Sequence, residues 1–129
     1  MRSRILFVSG HPDDARRLSR MLQSLPLTVD HVETLQQAHA KLQQDDYGVI
    51  LTEALLPDGK WLDALHLARQ SSQELEVIVT DPQADARFWA EALNMGAYDL
   101  LAQPFYEPEV RRILYNACSR AEYRVMAAR

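Results

Sequence analysis

The run Ile5-Leu6-Phe7-Val8 is apolar at every position, and a helical pattern begins within a few residues of its end. A strand that faces water on one side alternates apolar with polar residues. A strand without alternation is buried on both faces, as in a parallel sheet covered by helices. The same unit recurs along the chain. Leu27 to Val32, Gly48-Val49-Ile50-Leu51-Thr52, Val77-Ile78-Val79 and Ala97 to Leu101 are strand-like, and apolar residues three and four apart follow each of them.

The helices carry their own punctuation. Pro12 suits a first helical turn, where its missing N–H does no harm, and Asp13 and Asp14 there favour the helix dipole. Ala15, Leu18, Leu22 and Leu25 predict one helix up to Pro26. Thr34 with Gln37 reads as a capping box opening a short helix with Leu35, Ala38 and Leu42 inward. Pro57-Asp58-Gly59 is a turn, and Trp61 to Arg69 is helical with Leu62, Leu65 and Ala68 inward. A fourth helix runs from about Ala84 to Met95, with Gly96 as the residue just past its end. A fifth opens at Pro108 and runs to about residue 126, with Val110, Ile113, Leu114, Ala117 and Ala121 as its buried stripe. Five strand–helix units with right-handed crossovers predict an α/β fold, a doubly wound, flavodoxin-like sheet of five parallel strands in the order 2-1-3-4-5.

A chain of 129 residues suits one domain, here 1–129, with a core large enough to need no staples. The net charge of -4 argues against direct nucleic-acid binding. No apolar run approaches a membrane span, and the one after Met1-Arg2-Ser3-Arg4 is too short for a signal peptide. The single cysteine, Cys118, fits a reducing cytoplasm, which is the expected location, and reads as a small buried hydrophobe.

In an open α/β sheet the functional edge lies at the carboxyl ends of the strands. His11-Pro12-Asp13-Asp14, at the mouth of the first strand, has the look of a metal-ligand cluster. It also resembles the first motif of the zinc-dependent de-N-acetylases. That family continues the motif with Glu where this chain has Ala15, and it has a His-x-x-His that His31, His39 and His66 do not form. A catalytic zinc needs three protein ligands. The reading preferred here makes the motif the start of a helix and expects no metal.

"ILFVSGHPDD", "YGVILTEALLPDGKWLDALHLAR" and "ALNMGAYDLLAQPF" together resemble the receiver domain of two-component response regulators, over nearly the whole chain. The resemblance implies specific chemistry at the strand edge. An acid pair after the first strand holds Mg²⁺, an Asp ending the third strand takes the phosphoryl group, a Thr or Ser ending the fourth reports it, and a Lys ending the fifth neutralises charge. Such parts match the general needs of phosphoryl transfer. Carried onto this chain, the acid pair falls on Ser9 and Gly10, the acceptor on Glu53 and the Lys on Gln103. The Thr falls on Thr80 by strand position or on Asp81 by counting back from Gly96. The resemblance also implies a cis bond before Pro104.

The expected protein is therefore a pseudo-receiver, not an enzyme, with Mg²⁺ binding lost or weak. It would take part in two-component phosphorelay signalling by protein contacts that control an effector domain, that of a transcription regulator. The last helix would lead into that domain, and a histidine kinase is a further partner. A homodimer is expected through the fourth helix, fifth strand and fifth helix, with Trp89, Tyr98, Arg111 and Arg112 as interface candidates. Arg111, Arg112, Arg120, Arg124 and Arg129 give the last helix a basic outer face. Glu53 is either an inert solvated residue or a built-in mimic of a charged acceptor. Two alternatives stand beside this reading: the zinc hydrolase, and a receiver still phosphorylated on Asp58 or weakly on Glu53.

Overall fold

The computed structural model describes residues 3–127; Met1, Arg2 and Arg129, which figured in the sequence reading, lie outside them. Five parallel strands form one sheet: β1 (Arg4–Val8), β2 (Thr28–Val32), β3 (Val49–Glu53), β6 (Glu76–Asp81) and β7 (Asp99–Ala102). A small antiparallel ladder, β4 (Leu55–Leu56) with β5 (Gly59–Lys60), intervenes in the chain. The order β2-β1-β3-β6-β7 is the expected 2-1-3-4-5 once the ladder is set aside.

The two faces of the sheet bury two separate cores. Leu6, Val8, Ile50, Val77 and Val79 pack beneath α2 (Leu35–Gln44), α3 (Trp61–Gln70) and α4 (Ala86–Asn94). Ile5, Phe7, Val49, Leu51 and Ile78 pack beneath α1 (Pro12–Met21) and α5 (Glu107–Ala127). Alternate residues of one strand serve opposite cores, so the unbroken apolar run in β1 is required by the layering. The stripe of α5 is buried as expected, joined by Cys118.

Three local expectations differ. Helix α1 stops at Met21, one turn before Pro26. Leu22 N–H reaches both Leu18 and Ser19 carbonyls, and Gln23 N–H bonds Arg20, so the last turn tightens into i→i+3 bonds. Leu22 and Leu25 still pack on the core from this turn. In α3 the inward residues are Trp61, Ala64, Leu65 and Ala68, while Leu62 is exposed. Trp61 N–H bonds the Ala54 carbonyl at 3.0 Å, which rotates the helix to turn its indole inward onto Phe88. The capping box of α2 is offset: Thr34 Oγ1 accepts from Gln37 N–H, but Gln37 Oε1 accepts from Glu33 rather than Thr34.

Candidate functional site: the cleft at the strand ends

The loops after β1, β3, β6 and β7 enclose a cleft of about 440 Å³ lined by His11, Asp14, Glu53, Thr80, Asp81 and Gln103, among others. Glu53 ends β3 and is buried, 6% exposed. A carboxylate so buried needs partners, and two supply them. Gly10 N–H donates to Oε1 at 3.0 Å, and His11 Nδ1 lies 3.0 Å from both carboxylate oxygens. The hydrogen bond and charge of Glu53 raise the His11 pKa above its ordinary value.

The loop carrying these partners is itself pinned. Ser9 is fully buried; its N–H bonds the Val32 carbonyl and its Oγ accepts from His11 N–H at 3.0 Å. His31 Nε2 donates to the Ser9 carbonyl at 2.7 Å, from β2. Gly10 does not have a positive φ, and a Cβ there would meet Pro57 at 3.4 Å, ordinary contact.

The remaining positions are brought to the same edge. Thr80 is fully buried, and its hydroxyl donates across the sheet to the Leu101 carbonyl at 2.8 Å. Asp81 closes β6, and its carboxylate accepts from Gln83 N–H in its own loop. Gln103 follows β7 directly; its Nε2 is buried with no partner among the described residues. The Gln103–Pro104 bond is cis.

Mg²⁺ would meet an altered donor set here. It demands near-octahedral oxygen ligation. Ser9 and Gly10 offer no carboxylate, and an imidazole nitrogen stands directly against the carboxylate of Glu53.

Residues outside the resemblance also find roles. Asp58 is not free in its turn: Oδ1 and Oδ2 accept from Leu35 and Gln36 N–H at 2.8 and 3.1 Å, which caps α2 from a neighbouring loop. Gly59 beside it leaves room for these contacts, since a Cβ there would meet Leu35 Cδ1 and Asp63 Oδ2 and oblige both side chains to move. Within His11-Pro12-Asp13-Asp14 only His11 and Asp14 reach the cleft, while Asp13 pairs with Arg16 on the exposed surface. The three-residue spacing puts His11 and Asp14 on one side of the first turn.

The interface candidates divide. Trp89 is 49% exposed, with its Nε1 on Asp99 Oδ1, and Arg112 is exposed. Tyr98 is half-buried against the core. Arg111 turns away, to the Met21 carbonyl and Ser24 Oγ at the end of α1. Arg124, although exposed, pairs with Glu74 and Glu76, so among the described residues Arg112 and Arg120 are the exposed arginines of α5 outside these ion pairs.

With this geometry in place, comparison with known proteins is informative. The family model described as the response regulator receiver domain matches residues 5–127. The transcriptional regulatory protein KdpE of Staphylococcus aureus is 30% identical over 116 residues, covering 86% of this chain and 48% of its own length. A signal receiver domain from Vibrio parahaemolyticus superposes with a TM-score of 0.88 at 21% identity, over 98% of each chain. The receiver domain of a sensor histidine kinase from Pseudomonas aeruginosa, solved with magnesium in its active-site cleft, gives 0.77 at 26% identity, over 92% of this chain and 99% of that one. The chain spans half or less of the length of the first curated relatives it matches.

Proposed function

The chain belongs to the response regulator receiver family, and on that premise we propose that it is a receiver whose phospho-acceptor chemistry is dismantled. It signals by protein contact, without taking phosphate from a histidine kinase. The observation that carries this reading is Glu53: a longer carboxylate in the acceptor position, sequestered by His11 Nδ1 and Gly10 N–H at 3.0 Å. In-line attack on a phosphoryl group requires a carboxylate oxygen within about 1 Å of its place, and such misplacement alone costs roughly 10²-fold. Two further losses support it. Ser9 and Gly10 cannot hold Mg²⁺, and Gln103 carries no charge to offset that of the phosphoryl oxygens.

The output is control of an effector domain, consistent with relatives named as transcriptional regulatory proteins, of which this chain matches less than half the length. Helix α5 would lead into that domain in the cytoplasm. A homodimer would form over α4, β7 and α5, where Trp89 and Arg112 are exposed.

The test restores the chemistry. Ser9→Asp, Gly10→Asp, Glu53→Asp and Gln103→Lys together should bind Mg²⁺ and take label from acetyl phosphate, while the wild type does neither. Gly10 tolerates the change, since its φ is not positive and the added Cβ meets only Pro57. Wild-type labelling at the variant's rate refutes the reading. So does saturable binding of Mg²⁺ by the wild type at or below about 1 mM, a tight value for a site without the family's acid pair.

A further inference from the structure

We propose that His11, Asp14 and Glu53 form a site for a divalent transition-metal cation of the imidazole-accepting class, Zn²⁺ foremost. The inference rests on the loss of Mg²⁺ chemistry proposed above and goes beyond it, exchanging one cation class for another.

One ligand atom from each of the three residues lies within 4.8 Å of the other two. They come from different elements: His11 and Asp14 from the start of α1, Glu53 from the end of β3. Glu53 is oriented in advance by Gly10 N–H. His11 occupies the N-cap of α1, yet its side chain caps nothing and instead faces the carboxylate.

The donor set selects the ion. One imidazole nitrogen with two carboxylates suits zinc and neighbouring first-row metals, whereas Mg²⁺ prefers oxygen alone. Three protein ligands with an open position is the arrangement of an exchangeable zinc centre. A divalent ion also neutralises the two carboxylates it joins. Asp14 is lightly held at present: its partner Arg17 stands 3.6 Å away and is 62% exposed, a surface pair of small worth.

Gln103 lines the same cleft. Gln103 Nε2 is buried at its wall without an acceptor among the described residues. An amide donor left in that state has a cost.

The test uses the intact chain, freed of metal by chelation, with Zn²⁺ followed by calorimetry and Co²⁺ by its visible absorption. One ion should bind per chain in the micromolar range, undisplaced by excess Mg²⁺. The side-chain amide resonance of Gln103 should shift on Zn²⁺ addition. His11→Ala, Asp14→Asn and Glu53→Gln should each weaken binding by more than about 100-fold, beyond the 10–100-fold that an outer partner is worth. His39→Ala and His66→Ala should bind as the wild type does. The His11 side chain is 70% exposed and Gly10 N–H still holds Glu53 without it, and His11→Gln, which keeps a hydrogen-bonding group but offers no imidazole, is measured beside His11→Ala with a thermal melt of each confirming the fold. Absence of saturable Zn²⁺ binding overturns the proposal, as does binding that survives His11→Ala. A wild type that neither labels nor binds Zn²⁺ refutes only this site, whereas one that labels with acetyl phosphate and Mg²⁺ refutes the reading beneath it.

Discussion

Replacing Asp58 by Ala separates two views of this residue, a helix cap and a surrogate phospho-acceptor. Helix α2 begins with N–H groups that have no partner inside the helix, and three of them are accounted for: Asp58 takes Leu35 and Gln36, and Thr34 Oγ1 takes Gln37. Losing a cap costs about 1 kcal/mol, and up to about 2 in proteins. Losing a negative charge at a helix start adds roughly 0.3–1 kcal/mol. About 1.5 kcal/mol is therefore expected for Asp58→Ala, and about half of that for Asp58→Asn, which keeps one acceptor oxygen. Unfolding entropy of about 2.1 cal/mol/K per residue over 129 residues makes each kcal/mol worth about 4 °C. Thermal melts should fall by about 6 °C for Asp58→Ala and about 3 °C for Asp58→Asn. The Leu35 and Gln36 amide resonances should move upfield as their charged acceptor is lost. A melting point for Asp58→Ala within about 1 °C of wild type would refute the cap, and loss of acetyl phosphate label in that variant would mark Asp58 as an acceptor.

Three further outcomes follow from the packing. Burial pushes the Cys118 thiol up to about 12, so native protein should resist alkylation at mildly alkaline pH and react only in denaturant. Burial works to raise the Asp30 carboxyl, but hydrogen bonds from Tyr47 and Arg4 outweigh it and hold it below the usual range. A depressed folded-state pKa stabilises above the unfolded value near 3.8 and is lost as pH falls through the folded one. Tyr47→Phe should cost about 1–2 kcal/mol at neutral pH and flatten the loss of stability on acidification, measured by urea unfolding across that range. Gly96 sits at φ +107° past the end of α4, and a Cβ there would meet the Arg69 guanidinium. Gly96→Ala should therefore destabilise by about 1–2 kcal/mol in the same assay.

The fold was legible because its signals are local. An unbroken apolar run needs two covered faces, and Ile5 to Val8 feed both cores. The C′ position of Gly96 followed from what only glycine does cheaply, and its φ is positive. Expectations failed where a distant partner decided the outcome. Leu62 and Trp61 both fit an apolar stripe, and the bond from Trp61 N–H to Ala54 chose between them. Arg111 and Arg124 read as a solvated face until acceptors on α1 and β6 claimed them.

The cleft divides along the same line. Family resemblance points to positions where the family has a use, and it brought Ser9, Gly10, Glu53, Thr80, Asp81 and Gln103 to one edge. It carried no role onto His11. Its partner lies 42 residues away in sequence, so no spacing rule could join them. Electrostatics could have demanded such a partner without naming it. With Gln103 in place of a lysine, a carboxylate buried to 6% exposure must find a donor or lose its charge. His11 and Gly10 meet that demand, which is why Glu53 is held rather than merely tolerated. The same contacts make single reversions weak. Glu53→Asp alone would withdraw the carboxylate from both donors without restoring a metal to receive it. Only replacing the whole set exchanges one self-consistent arrangement of charge for another.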